Sequence, residues 1–152
     1  MNKRDLTYGL LLFAGFAGYF FIMQAAELYY NYNLRIFNII IHFGLVYFAI
    51  RSFFNSHQDK EFNYLSGTLA GFKPSLIGVL LFGIMQLVYL SIDDAFLQHL
   101  QTEITIGEYI NPFTASFAVV LEGIGVSVIV SYIAMRIVDA QKIDPEKYEE
   151  RL

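Results

Sequence analysis

The chain has 152 residues, 56% of them hydrophobic and 17% aromatic, with 16% charged and a formal net charge of −4. A soluble domain of one unit's length could not cover that much apolar surface, and the small mixed charge leaves no footprint for nucleic acid. There is no cysteine, which excludes disulfide exchange, thiol catalysis and thiolate metal sites.

Four long apolar runs follow in order. Residues 6–27 form the first, uncharged up to Glu27 and long enough to cross about 30 Å of hydrocarbon as a helix. Lys3 and Arg4 resemble the basic start of a signal peptide. The run after them is a full span with no small-residue cleavage site, so an uncleaved first span is expected. The second span, 33–54, is bracketed by Arg35 and Arg51, which can snorkel toward the interfaces. The third, 74–94, opens on Pro74, which suits a first helical turn, and closes on Asp93 and Asp94. The fourth, 112–138, opens on Pro112. A short tail, 139–152, holds a helix-start signal at Asp144, Pro145 and Glu146.

The connections carry pattern too. Phe62, Leu65, Leu69 and Phe72 recur at helical spacing after Asp59, Lys60 and Glu61. They predict a short amphipathic helix in the interface between spans two and three, weakened by Gly67 and Gly71. Phe96, Leu97, Leu100 and Ile104 predict a similar piece between spans three and four. The expected fold is all-α: one domain, a four-helix transmembrane bundle.

Orientation follows from Lys and Arg. Lys3 and Arg4 precede span one, Arg51, Lys60 and Lys73 lie between spans two and three, and Arg136, Lys142, Lys147 and Arg151 follow span four. The other two connections hold only Arg35. Both termini are expected in the cytoplasm, with Tyr29, Tyr30 and Tyr32 as an aromatic belt on the far side. Small residues mark helix contacts: Ala14, Gly15, Ala17 and Gly18 on span one, Gly78 and Gly83 on span three, Ser116, Gly123, Ser127 and Ala134 on span four. They fit packing inside one bundle or association with a further copy or subunit.

Three strongly polar residues fall deep within the apolar runs. Counted from the expected entry points, His42 lies about 14 Å deep, Glu122 about 15 Å and Gln86 about 18 Å from the opposite side. All three are expected near the midplane, with Glu122 facing the interior within hydrogen-bonding reach of His42 or Gln86. Toward the outer surface, Asn31, Arg35 and Asn38 continue the His42 face, Asp93 continues that of Gln86, and Gln24 and Glu27 share a third. Together they predict an outer polar wedge narrowing to the midplane. Two readings stay open: a buried pair that fixes helix register, or a site for transport, sensing or binding.

Other chemistry lacks its residues. Only one histidine, His42, lies in a span, since His57 and His99 fall in connections; this argues against a haem held between helices. His42 with Glu122 is too small a set for a metal. No phosphate loop or nucleophile elbow is present. No cofactor and no enzymatic activity are expected.

The stretches LRIFNIIIHFGLVYFAIRSF, FNYLSGTLAGFKPSLIGVLLFGI and LEGIGVSVIVSYIAMRI resemble an uncharacterised four-helix inner-membrane family common in Bacteroidetes, labelled a domain of unknown function. Members are similar in the amphipathic stretch that leads through Gly71 and Ser75 into the third span. The resemblance implies a bacterial inner membrane and carries over no functional residue. The function expected is a non-enzymatic structural or accessory component of a membrane complex, partnered by the bilayer and by further copies or other subunits. The alternative is a small transporter, channel or sensor using His42, Gln86 and Glu122.

Overall fold

The computed structural model describes residues 2–28, 34, 36–56, 63–103 and 107–141. Five α-helices run in order: α1 (Lys3–Ala25), α2 (Ile36–Asn55), α3 (Tyr64–Leu90), α4 (Asp94–Glu103) and α5 (Pro112–Ala140), with a 3-10 turn at Gly107–Tyr109 before α5. Four of them, α1, α2, α3 and α5, are long and apolar enough to cross a membrane. They alternate in direction, so one end of the bundle carries the start of α1, the α2–α3 connection and the end of α5. We call it the terminal end; the other is the α4 end. The tyrosine belt, Asp59 to Phe62, His57, Ile104 and the tail beyond Gln141 lie outside the described residues.

Three of the helix starts have a local cause. Asn111 and Thr114 form a reciprocal capping box at α5: Thr114 N–H donates to Asn111 Oδ1 and Asn111 N–H to Thr114 Oγ1, both at 2.9 Å. Pro112 follows in the first turn, where its missing N–H costs nothing. Asn63 caps α3 by accepting from Leu65 N–H. Asp93 caps α4, Oδ1 accepting from Phe96 N–H at 3.0 Å. The piece expected around Phe96, Leu97 and Leu100 is therefore helical.

The third span differs from expectation. Leu65, Leu69 and Phe72 do not form a separate interfacial helix. They are the first turns of α3, which runs unbroken through Pro74. Pro74 is interior and buried. Proline removes one backbone bond, to the Ala70 carbonyl, and clashes with the preceding turn. Small residues there, Ala70 and Gly71, and the neighbouring helices make the interruption tolerable, as in other apolar helices. The helix begins ten residues earlier than Pro74 suggests, and every depth counted from Pro74 shifts.

α3 is the central helix, touching α1, α2 and α5. Its neighbours meet it through small residues. A Cβ on Gly78 would lie 2.6 Å from Leu12 Cβ and 3.1 Å from the Gly9 carbonyl; one on Gly9 would lie 2.8 Å from Ile77 Cβ. At Gly123 on α5 a Cβ would lie 2.6 Å from Val79. The glycines let backbones approach closely, which substitutes for the hydrophobic drive a bilayer does not supply. Ser116, Ser127 and Ala134 are buried on α5, so this small-residue face serves packing within the bundle. Gly18 instead faces open space. The buried core joins Leu12, Phe16, Val46, Ile50, Val79, Val130, Ala134 and Met135.

Candidate functional site

At mid-bundle α2, α3 and α5 are tied by three polar side chains. His42 Nε2 is hydrogen-bonded to Ser75 Oγ and lies 3.4 Å from Ser127 Oγ. Ser75 Oγ donates to Ser127 Oγ at 2.6 Å, and Ser127 Oγ donates to the Gly123 carbonyl at 2.6 Å. His42 is 4% exposed and both serines are fully enclosed.

One arrangement of protons satisfies all three of these bonds. Each serine has one proton to give. That of Ser127 goes to Gly123, and that of Ser75 goes to Ser127. The bond between Ser75 and His42 therefore has the ring as donor, which places a proton on Nε2. In the neutral ring Nδ1 then carries the lone pair, and among the described residues no hydrogen bond uses it.

This cluster closes the bottom of a cleft between α2 and α5, about 390 Å³ in volume. Ile36, Asn38, Ile39 and His42 form the α2 wall; Val119, Glu122, Gly123 and Val126 form the α5 wall. Phe16, Val79 and Phe82 form the floor. Below His42 the two helices close against each other: Val46, Ile50 and Ala134 are fully buried and Met135 nearly so. Toward the α4 end the cleft opens sideways, with Ile36, Ile39 and Glu122 exposed. Aromatic rings stack edge to face along the floor and beyond: His42 on Phe16 (5.2 Å), Phe16 on Phe82 (5.7 Å), Phe82 on Phe20 (6.3 Å) and Phe20 on Tyr89 (5.1 Å).

The residues singled out from the sequence separate into three groups. His42 and Glu122 share the cleft, but Glu122 stands at its mouth and not in the bundle interior. The buried face of α5 runs through Ser116, Gly123 and Ser127, and Glu122 is one residue, about 100° of helix, off that line. Gln86 is buried, but it does not line the cleft. His42 sits level with Ser75, and Gln86 is eleven residues, about 16 Å, further along α3. The early start of α3 is the cause.

The outer wedge is likewise divided. Asn38 belongs to the cleft, with its Oδ1 enclosed and without a hydrogen-bond partner among the described residues. Gln24 has an enclosed, unpartnered Oε1 on α1, outside the cleft lining. Glu27 is exposed and ends α1 in the left-handed region, φ 56°. Asp93 accepts from Tyr89 Oη at 2.7 Å and caps α4. The Tyr89 bond, and after it the Phe96 N–H, hold its carboxyl below the ordinary aspartate value. Asn31 and Arg35 lie outside the described residues.

Ser75 and Ser127 complete the site, and sequence reasoning did not assign them to it. Their signal was present: serines on the small-residue faces of helices adjoining His42. Among the described residues no group of three metal-ligating side chains occurs. No protein-family model, curated protein or solved structure matches the chain.

Proposed function

We propose that this is a multi-pass protein of a bacterial inner membrane, with both termini cytoplasmic, acting as a non-enzymatic accessory component. Its working surface is the α2–α5 cleft. That cleft receives a lipid-soluble guest sideways from the bilayer, apolar body outward and polar head toward His42. The observation that carries this reading is the pairing of an open apolar-walled cleft with polar groups deep in it: the His42 ring and the unpartnered Asn38 Oδ1, with Glu122 at the mouth. A small number of placed polar groups in an apolar pocket is the usual build of a ligand site. The complementary head donates N–H or O–H bonds. The closed layer of Val46, Ile50, Ala134 and Met135 argues against an open channel. The inner-membrane assignment draws on the family resemblance and the orientation on the Lys/Arg distribution.

A photo-crosslinking side chain at Ile39, on the cleft wall, tests the reading in native membranes, with Ile84 on α3 as control. The expected result is a discrete low-mass adduct at Ile39, absent at Ile84 and reduced by Asn38→Leu. Identical lipid adducts at both positions would overturn it. A discrete protein adduct at Ile39 would replace the small guest with a partner helix. Orientation is tested separately: cysteines at Ser56 and Thr102 should label from opposite sides, Ser56 from the cytoplasm, against a chain with no native cysteine.

A further inference from the structure

A second cavity, about 640 Å³, lies between the start of α1 and the first half of α3. We propose that it binds the phosphate of an anionic phospholipid, with the acyl chains lying along α3. The inference is independent of the α2–α5 cleft and needs only that the chain sits in a bilayer.

Arg4 is the anchor. Its Nε and Nη2 donate to Asp5 Oδ1 at 3.1 and 2.5 Å, and its guanidinium carbon lies 4.6 Å from the Phe53 ring centroid. The ion pair and the ring hold the planar group in one orientation. Nη1 is left over: it is enclosed, and no hydrogen-bond partner reaches it among the described residues. A buried donor without an acceptor is costly, and a phosphate oxygen supplies the acceptor.

Lys73, on α3, lines the same cavity and is exposed. Asp5 is only 7% exposed and offsets one cation, so the two bases leave one positive charge over. The remaining wall is apolar, including Leu69, Leu76 and Ile77. Two cationic donors on separate helices, beside an apolar strip at the terminal end of the bundle, match a headgroup with attached chains. Basic pockets between spanning helices on the cytoplasmic side recognise anionic lipid in this way.

The full-length protein in neutral detergent is titrated with phosphatidylglycerol or with phosphatidylcholine of the same chains, and bound lipid is read by native mass spectrometry. At least a tenfold preference for phosphatidylglycerol is expected. Lys73→Gln, which leaves the Arg4–Asp5 pair in place, should reduce that preference at least threefold. Arg4→Lys keeps the charge, removes Nη1 and should reduce it as well. If Arg4→Lys fails to fold, the Lys73 variant decides alone. Ile84→Ala, on the exposed face of α3 and outside both cavities, should leave the preference unchanged. Equal retention of the two lipids would overturn the proposal, as would a preference untouched by Lys73→Gln. Displacement of the lipid by inorganic phosphate at equal concentration would also overturn it, by making the pocket a free-anion site.

Discussion

Between α1 and α3 the backbones meet at Gly9 and Gly78, where an added Cβ would lie under 3 Å from Ile77 or Leu12. Between α2 and α5 the helices close only in the half nearer the terminal end, and beyond His42 they leave a cleft holding Asn38 and Glu122. At its centre the first seam has no room and no ionisable group; it opens only at the terminal end, where Arg4, Asp5 and Lys73 line a cavity. The second gives up packing where it takes on polarity. In a bilayer, helix association draws on close packing and interhelical hydrogen bonds, and a membrane-facing polar group is costly without a purpose. The difference teaches where to look at mid-bundle: there the close seam holds the helices together, and the open seam is free to bind.

The largest expected effect breaks the close seam. Gly78→Ile places a branched side chain against Leu12 and the Gly9 carbonyl. Neither can yield without moving α1, and overpacking of this kind costs about 3 kcal/mol. Loss of the folded protein in a detergent-unfolding titration is the readout. Gly18→Ala and Gly125→Ala meet nothing within 4 Å and should be neutral. Equal losses at Gly78 and Gly18 would remove the contrast between the seams.

The next effect tests the polar tie at the base of the open seam. Ser75→Ala leaves the His42 Nε2 proton with only the long 3.4 Å approach to Ser127. About 1–3 kcal/mol should be lost, the cost of an unsatisfied buried donor. Nitrogen-15 NMR of labelled histidine should place the proton on Nε2 in the native chain and show mixed ring tautomers in the variant. A native ring already protonated on Nδ1 alone would undo the assignment of that nitrogen as an acceptor.

The residues that are legible in the sequence are those whose signal is long or local. Four spans are read from apolar runs, because a run of about eighteen or more such residues fits little besides a transmembrane helix. Pro112 marks a helix start, and Asn111 with Thr114 supplies the cap that confirms it. Pro74 carries the same local signal and means something else. Whether a proline opens a helix or lies inside one depends on whether the preceding segment finds a packing partner. Gly67 meets Met135 and Phe54, and Gly71 meets Ile50 and Val46. The two glycines that weaken the helical pattern of this segment are the ones that let it pack. The depth of Gln86 is displaced by that one feature. Ser75 and Ser127 are legible as small residues but not as partners of His42, because the relative rotation and depth of two helices is tertiary information.

Glu27 concerns the α4 end of the close seam. Leu28 N–H donates to the Met23 carbonyl at 2.9 Å and Glu27 N–H to the Gln24 carbonyl at 3.1 Å. That is the Schellman pattern, with Glu27 in the left-handed position that glycine normally fills. A side chain there costs about 1 kcal/mol. Glu27→Gly should therefore stabilise α1 by roughly 0.5–1 kcal/mol, read as a higher unfolding midpoint. A lower midpoint would mean that the Glu27 carboxylate makes a contribution larger than the strain, which would return it to the polar wedge.

The smallest effect decides to which region Asp93 belongs. In sequence it aligns with the wedge, whereas in the fold it joins Tyr89 to the first turn of α4, beside the aromatic ladder of α1 and α3. Its depressed pKa means that the ionised form is the one favoured by folding. The stabilisation is present above the unfolded pKa and is lost as pH falls through the lower, folded value. The Phe96 amide resonance should report this titration, with a midpoint below that of an ordinary aspartate. Asp93→Asn keeps an acceptor for the cap but cannot ionise, so it should abolish the titration while α4 stays helical. Because Asp93 is outside the α2–α5 cleft lining, the low-mass adduct at Ile39 should persist in that variant. Loss of the adduct with α4 intact would attach Asp93 to the open seam after all, and the division between a packed region and a binding region would have to be redrawn around it.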